Sequence, residues 1–185
     1  MRRIIAVLLA LSLLVLSHAG AASAGTVKGS FDYHVGDALI QSLGFPADNQ
    51  AVATNGDVVT IVATGTFDTV TNSATGGGTF AHHMAATGQT ITGTFTTTGL
   101  VSFQSYGDAT PQGLPSSFFG GKLMLSGIAT PDGAPGVHLP LTLTVECDLG
   151  NPPASAVEGV RVNVKDVINF NKSVHESGAN VYILQ

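Results

Sequence analysis

The chain has 185 residues, of which 44% are hydrophobic and only 10% are charged, with 23 glycines, no tryptophan and one cysteine. Globular proteins average roughly 25% charged residues, so Thr, Ser, Asn and Gly must form most of this surface. The composition excludes a charged disordered tail, a coiled coil and a disulfide-linked scaffold.

The N-terminus is typical of a secretory signal peptide. Arg2 and Arg3 give a basic start, a mainly apolar run follows over 4–16, and Ala22-Ser23-Ala24 fits the small-residue cleavage pattern. The apolar run is shorter than the roughly 20 residues needed to span a bilayer. We therefore expect a cleaved signal peptide over 1–24 and a secreted or periplasmic protein. The mature chain, 25–185, should form one domain without a membrane span.

The charge balance excludes two classes of partner. Removing Arg2 and Arg3 from the 7 basic residues leaves five against 12 acidic ones. Without a basic patch, nucleic acid and anionic membrane surfaces are poor partners.

The single cysteine cannot form an internal disulfide. Cys147 follows a segment in which apolar and polar residues alternate, and it falls on the apolar face, whereas Glu146 falls on the outward face. We expect Cys147 to be buried as a small hydrophobic residue. A nucleophile or an intermolecular disulfide is the alternative.

Most of the mature chain is predicted to form β-strands. Segments rich in Val, Ile, Thr and Phe alternate with Gly, Pro, Asn and Asp turns, and 37–44 is compatible with one short helix or turn. The predicted strands are 26–35, 57–70, 77–85, 90–104, 122–129, 137–149, 159–170 and 180–184. About eight strands in this length fit a single antiparallel β-barrel or a barrel-like sandwich.

A repeated triplet favours the barrel. Gly-Thr-Phe begins at Gly65, Gly78 and Gly93, and this spacing suits consecutive antiparallel strands. Glycine allows a strand to bend sharply, and a neighbouring ring can cover the missing side chain. The predicted meander resembles the barrels of calycins and allene oxide cyclases in architecture alone. The lipocalin Gly-x-Trp motif is absent, and architecture does not define function.

A segment rich in Gly and Pro, 105–121, is predicted to be a long loop. Loops of this length in compact domains are usually functional or mobile. Phe118 and Phe119 within it either belong to a lid over one end of the barrel or plug that end as core residues.

His82 is the candidate catalytic or ligand-anchoring residue. Alternation places His82 on the inward face with Phe80 and Met84, while His83 points to the other face. Thr69 and Thr97 follow Phe67 and Phe95 at the same offset. We therefore expect them to flank His82 as a small polar group in an apolar interior. Copper or zinc would suit His82 with Met84, but the sequence lacks an established metal-binding spacing, so no metal or cofactor is predicted.

Three functional hypotheses follow. The first is non-catalytic binding of a small apolar or amphipathic molecule by residues of the inner face and the predicted lid: Phe67, Thr69, Phe80, His82, Phe95, Thr97, Phe118 and Phe119. The second is a small barrel enzyme of the cyclase or isomerase type with His82 as its base. The third is a self-associating surface protein, because the uncharged stretch 90–98 would invite strand pairing at a free edge.

Overall fold

The described chain is built almost entirely of β-strands. The computed structural model describes residues 27–174 and 177–185, so the predicted signal peptide over 1–24 lies outside the described residues. Eleven strands form one antiparallel sheet. The all-β antiparallel prediction is therefore confirmed.

Strand bounds follow the alternation of apolar and polar residues closely in most places. The strands are β1 (Ser30–Val35), β2 (Asn49–Val52), β3 (Val58–Asp68), β4 (Ser73–His83), β5 (Thr90–Asp108), β6 (Phe118–Pro131), β7 (Leu139–Cys147), β8 (Gly159–Val164), β9 (Ile168–Phe170), β10 (Lys172–Ser173) and β11 (Asn180–Leu184). The helix α1 (Ala38–Ser42) begins after Asp37, whose side chain accepts hydrogen bonds from the backbone N–H groups of Leu39 and Ile40. A 3₁₀ turn covers Thr110–Gln112.

Two short strands and one turn differ from the prediction. The predicted strand 159–170 is a hairpin, in which β8 and β9 are joined by a turn with Asp166 at φ 59°. β2 and β10 were not predicted, since four and two residues are too few to show an alternating pattern.

Six strands pair in a closed circuit. β3 pairs with β1, β1 with β11, and β11 with β6. β6 then pairs with β5, β5 with β4, and β4 with β3. The weakest link is between β11 and β6, which share only two residue pairs, Tyr182 with Phe119 and Ile183 with Phe118.

Two arms extend from this circuit. β2 and β10 continue from β3, and β7, β8 and β9 continue from β6. The arms meet because β8 lies against β2 and β10. The outermost strands β9 and β10 have only three and two residues. Such short edges offer little backbone for pairing with another chain.

The Thr-rich stretch 90–98 is not a free edge over its centre. Residues Gly93 to Thr96 pair with β4 on one side and with β6 on the other. Only the ends of the stretch are paired on one side alone. The free edge expected for the self-association hypothesis is therefore absent at its most strand-like part.

Aromatic rings fill one end of the interior. Phe31 stacks on Phe67 with ring centroids 5.0 Å apart, and the ring centroid of Phe103 lies 4.7 Å from that of Phe67. Phe119 and Tyr182 meet these rings edge-on. Aromatic pairs of this kind contribute about 0.5–1.5 kcal/mol each beyond the burial of their area. We call these five residues the aromatic cluster.

The Gly-Thr-Phe triplets place rings against glycines. Phe80 of β4 lies opposite Gly93 of β5, and Phe95 lies opposite Gly78. A Cβ atom at Gly93 would lie 2.5 Å from the Phe80 ring. The expected covering of glycine by a neighbouring ring is confirmed at this position.

The predicted long loop 105–121 is wrong in extent. Ser105 to Asp108 belongs to β5, and Phe118 to Gly121 belongs to β6, which leaves only 109–117 as the connection. Of the two phenylalanines, Phe119 is buried in the aromatic cluster, and Phe118 is half-buried beside it on the strand. Neither residue belongs to a lid, because both are paired in the sheet.

On β7, the observed burial confirms the prediction for Cys147 and contradicts the prediction for the adjacent Glu146. Cys147 is fully buried, and its Sγ lies 3.0 Å from the carbonyl oxygen of Asn180. Glu146, predicted to face solvent, is also buried. Tyr106 at the end of β5 covers it, and alternation along β7 carries no information about that long-range contact.

Candidate functional site

The end of the interior away from the aromatic cluster holds an open apolar cavity. It has a volume of about 190 Å³ and is lined by residues from β3 to β9. Its wall includes Val59, Ile61, Phe95, Leu141, Leu143 and Val162. Ile91 and Val167 also line it and are 40% and 62% exposed, so this end opens to solvent. We call this space the interior cavity.

His82 is the polar residue in the wall of the interior cavity. The extended backbone of β4 places it two residues after Phe80, on the same face. Its ring meets Phe170 edge-on with centroids 5.1 Å apart. This contact fixes the plane of the imidazole at the cavity mouth.

Asp57 holds the imidazole from the other side. Nε2 of His82 lies 2.8 Å from Oδ2 of Asp57, whose side chain is 8% exposed. The second carboxylate oxygen accepts the backbone N–H of Ala85 at 2.9 Å. Asp57 therefore bridges the start of β3 and the end of β4 while orienting His82.

The charge state of Asp57 decides the tautomer of His82. The hydrogen bond from His82 lowers the pKa of Asp57, and the bond from the Ala85 N–H adds to this effect. An ionised carboxylate can only accept, so Nε2 must donate its proton to it. In the neutral ring Nδ1 then carries the lone pair. Within the described part of the chain, no hydrogen bond to this Nδ1 is found.

The structure brings together only part of the predicted site. Phe80, His82 and Phe95 line the interior cavity as expected. The other predicted ligand-binding residues do not line it; they are Phe67, Thr69, Thr97, Phe118 and Phe119. Phe67 and Phe119 belong to the aromatic cluster instead.

The expected polar group of Thr69, His82 and Thr97 does not form. Adjacent strands run in opposite directions, so the same offset after each phenylalanine leads toward opposite ends of the sheet. His82 pairs with Val59 and Ile91, far from both threonines along their strands. Thr97 bonds the hydroxyl of Tyr33 at 2.8 Å, and the side chain of Thr69 accepts the N–H of Gly29 at 3.0 Å.

Sequence reasoning missed Asp57 as the partner of His82. The two residues are 25 positions apart, and only the register of the β3–β4 hairpin brings them together. That register places Val58 opposite His83. A connection shorter than 69–72 would have shifted every pair along the hairpin, because turn length sets register.

A second polar group lies on the outer face of the sheet. Glu146 accepts the hydroxyl of Tyr106 at 2.7 Å and Nη1 of Arg161 at 3.0 Å. Burial and this hydrogen bond raise the pKa of Tyr106, so its hydroxyl stays protonated. Because every group here is paired with another protein group, the cluster is suited to holding β5, β7 and β8 together rather than to chemistry.

Metal ligation finds no support in the geometry. Across residues 27–174 and 177–185, no group of three His, Cys, Asp or Glu side chains is placed to hold an ion. His83 is exposed on the face of β4 opposite His82, and its Nδ1 lies 3.3 Å from the hydroxyl oxygen of Thr90.

No protein-family model, curated protein or solved structure matches this chain. Over the described residues, no helix combines the length and apolar character that crossing a bilayer requires.

Proposed function

We propose that this protein binds a small, largely apolar molecule in the interior cavity without transforming it. The observation that carries the proposal is the cavity itself, a space of about 190 Å³ walled by aliphatic and aromatic side chains. The other end of the same interior is filled with rings. An unfilled apolar space normally costs stability, because its wall atoms lose their packing partners.

The size of the cavity limits the ligand. An apolar cavity of about 150 Å³ stays dry and binds benzene or xenon, whereas drug-sized ligands need about 300–1,000 Å³. A single ring or a short branched chain matches the present volume. The exposed Ile91 and Val167 at the mouth supply an apolar entry.

His82 defines the polar end of the ligand. With Nε2 engaged by Asp57, Nδ1 is the acceptor of the neutral imidazole. A ligand hydroxyl at the cavity mouth would donate to it. The proposed ligand class is therefore a small apolar molecule with one hydroxyl group.

A second candidate function is catalysis with His82 as general base. The specific observation in its favour is the His82–Asp57 pair, since a carboxylate that orients an imidazole is a recurring feature of base catalysis. An enzyme of this kind should convert its bound molecule into a product, and His82→Phe should abolish the conversion. A binding protein should retain its ligand unchanged.

Native mass spectrometry of the exported protein, purified without chelators, tests the proposal first. We expect a discrete extra mass that survives gentle activation and is lost on denaturation. For protein that is isolated bare, ¹²⁹Xe NMR reports whether the cavity admits an apolar guest. Ala129→Leu, which fills the cavity from β6, should abolish xenon binding while the fold is kept.

His82→Phe separates ligand anchoring from packing. Loss of a hydroxylated ligand with retained xenon binding supports the anchoring role, and His83→Phe is the matched control on the exposed face of β4. Unchanged ligand retention together with raised stability would show that His82 only fills the core. A bare protein that also rejects xenon overturns the binding proposal itself.

Export and barrel closure belong to the same proposal. We propose that residues 1–24 are cleaved and that the closed pairing circuit forms a barrel, with the interior cavity lying between strands β3 to β6 of that circuit and the arm of β7, β8 and β9. The basic start and the apolar run support the first statement, and the six linked strands support the second. N-terminal sequencing of exported protein should begin near Gly25; an intact Met1 in the exported material would contradict cleavage.

A further inference from the structure

A second pocket lies outside the strand circuit and shares no lining residue with the interior cavity. It is a groove of about 430 Å³ between α1, the 109–117 connection and the start of β11. Its apolar lining includes Ile40, Leu43, Phe45, Leu114 and Phe118. Leu43 and Phe45 are 45% and 51% exposed, so the apolar rim faces solvent.

The side chain of Glu158 lies in this apolar groove. One carboxylate oxygen accepts the backbone N–H of Asn180 at 3.0 Å and its side-chain amide at 2.8 Å. The other accepts the N–H of Asp148 at 2.8 Å. Three donors from two segments therefore hold the carboxylate in one orientation before any ligand arrives.

Among the described residues, Glu158 has no counter-ion in this groove. Asp148 lines the same groove and adds a second carboxylate. The described residues form ion pairs at Asp37, Asp57 and Glu146, but none at Glu158. A half-buried carboxylate in apolar surroundings is costly unless a cation approaches it.

We propose that the Glu158 groove binds a small amphipathic ammonium compound, with its apolar body between Phe45 and Phe118 and its charged nitrogen at Glu158. Of the roughly four lone-pair sites of an ionised carboxylate, the Asn180 and Asp148 donors occupy three, which leaves one on the oxygen that Asp148 contacts for an ammonium N–H. The positive charge of the ammonium also offsets the repulsion between Glu158 and Asp148. A neutral molecule of the same shape would gain only the apolar contacts.

Protonation of Glu158 should couple to binding. Burial raises the pKa of Glu158 to about 8, and the nearby charge of Asp148 adds to the rise. The other titratable groups that face it are the thiol of Cys147 and the hydroxyl of Tyr182, both neutral because burial raises their pKa values. An alkylammonium, like a lysine side chain with a pKa of about 10.4, stays charged across this range.

The test compares 2-phenylethylammonium with 2-phenylethanol by titration calorimetry at low salt on the mature chain carrying Ala129→Leu, which fills the interior cavity so that neither probe binds there. We expect the ammonium to bind at least about tenfold more tightly than the alcohol near pH 8.5. Only the ammonium can form a charge-assisted hydrogen bond with the ionised Glu158. This preference should shrink near pH 6.5, where Glu158 is protonated, and it should vanish in Glu158→Gln.

One further variant and the Ala129→Leu background separate the preference for charge from apolar contacts and from binding in the interior cavity. Phe45→Ala, at an exposed position, should weaken both probes equally while the preference for the ammonium remains. Because Ala129→Leu closes the interior cavity in every sample, this proposal can fail without the ligand-binding proposal failing. Equal affinity for the two probes, or a preference that survives Glu158→Gln or has no pH dependence, overturns the inference.

Discussion

Three carboxyl groups near the sheet have different neighbours, and the pKa values of two of them, Asp57 and Glu158, shift in opposite directions. Asp57 receives hydrogen bonds from His82 and the Ala85 N–H, which lower its pKa. Glu146 is buried but is paired with Arg161 at 3.0 Å. Glu158 has hydrogen-bond donors but, among the described residues, no counter-ion, so burial dominates and its pKa rises to about 8. Burial alone therefore does not set the charge of a carboxyl group.

At the residue scale, the raised pKa of Glu158 predicts how the free energy of unfolding depends on pH. Its pKa rises from an ordinary 4.5 to about 8, so the folded state binds this proton more tightly than the unfolded state. The contribution to the free energy of unfolding is fully present below pH 4.5 and is lost as pH rises through about 8. Glu158→Gln removes this titration. The free energy of unfolding of this variant should match that of the wild type near pH 5 and exceed it by about 1–3 kcal/mol near pH 9.

Urea unfolding at several pH values measures this difference. Asp166→Asn is the matched control, since Asp166 is exposed in a turn at φ 59°, a conformation that Asn tolerates. The control should follow the wild-type pH dependence. A Glu158→Gln protein with the same pH dependence as wild type would show that Glu158 is ionised at neutral pH.

At the scale of the strand, glycine and phenylalanine act as a pair across the sheet. Phe80 occupies the space above Gly93 that a side chain would fill. The backbone carbonyl of Thr130 also lies 2.4 Å from the position of an added Cβ atom. Neither contact can be relieved by moving the end of a flexible side chain.

Gly93→Ala should therefore destabilise the protein by about 1–3 kcal/mol, the usual cost of forcing extra atoms into a packed site. Gly99→Ala on the same strand is the control. An added Cβ there would meet only the Ser126 hydroxyl, at 3.3 Å, which can rotate away. Thermal unfolding of both variants measures the difference, and equal melting temperatures would contradict the pairing of ring and glycine.

At the scale of the whole molecule, the interior is packed unevenly. The aromatic cluster closes the end formed by β1, β3, β5, β6 and β11, whereas the cavity lies among β3 to β9. The outermost strands β9 and β10 are short and belong to the arms. Local opening should therefore be easier in the arms than in the circuit.

Amide hydrogen exchange followed by mass spectrometry checks this division. Peptides from β1 and β11 should exchange slowly, because Phe31, Tyr33 and Tyr182 are fully buried there. Peptides that cover β9 and β10 should exchange faster and become protected when the cavity is occupied. Fast exchange in β11 would mean that its two-pair link to β6 opens readily and that the circuit is not a stable closure.

The sequence by itself determined most of the strands and, at most positions, which face of a strand is buried. Alternation predicted most strands and the burial of Cys147, and the glycine triplets predicted rings beside glycines. These properties follow from the two-residue period of an extended chain, which is local. The same local rule put His82 on the inner face with Phe80.

Only the tertiary structure decided which strands are neighbours and in what register. Register placed Asp57 beside His82, and strand packing brought Tyr106 over Glu146. It also separated Thr69 and Thr97 from His82, since neighbouring strands run in opposite directions. The two pockets arise in the same way, from segments distant in the chain. Local periodicity specifies the face of a side chain, but its partner across the sheet depends on long-range pairing that no local pattern encodes.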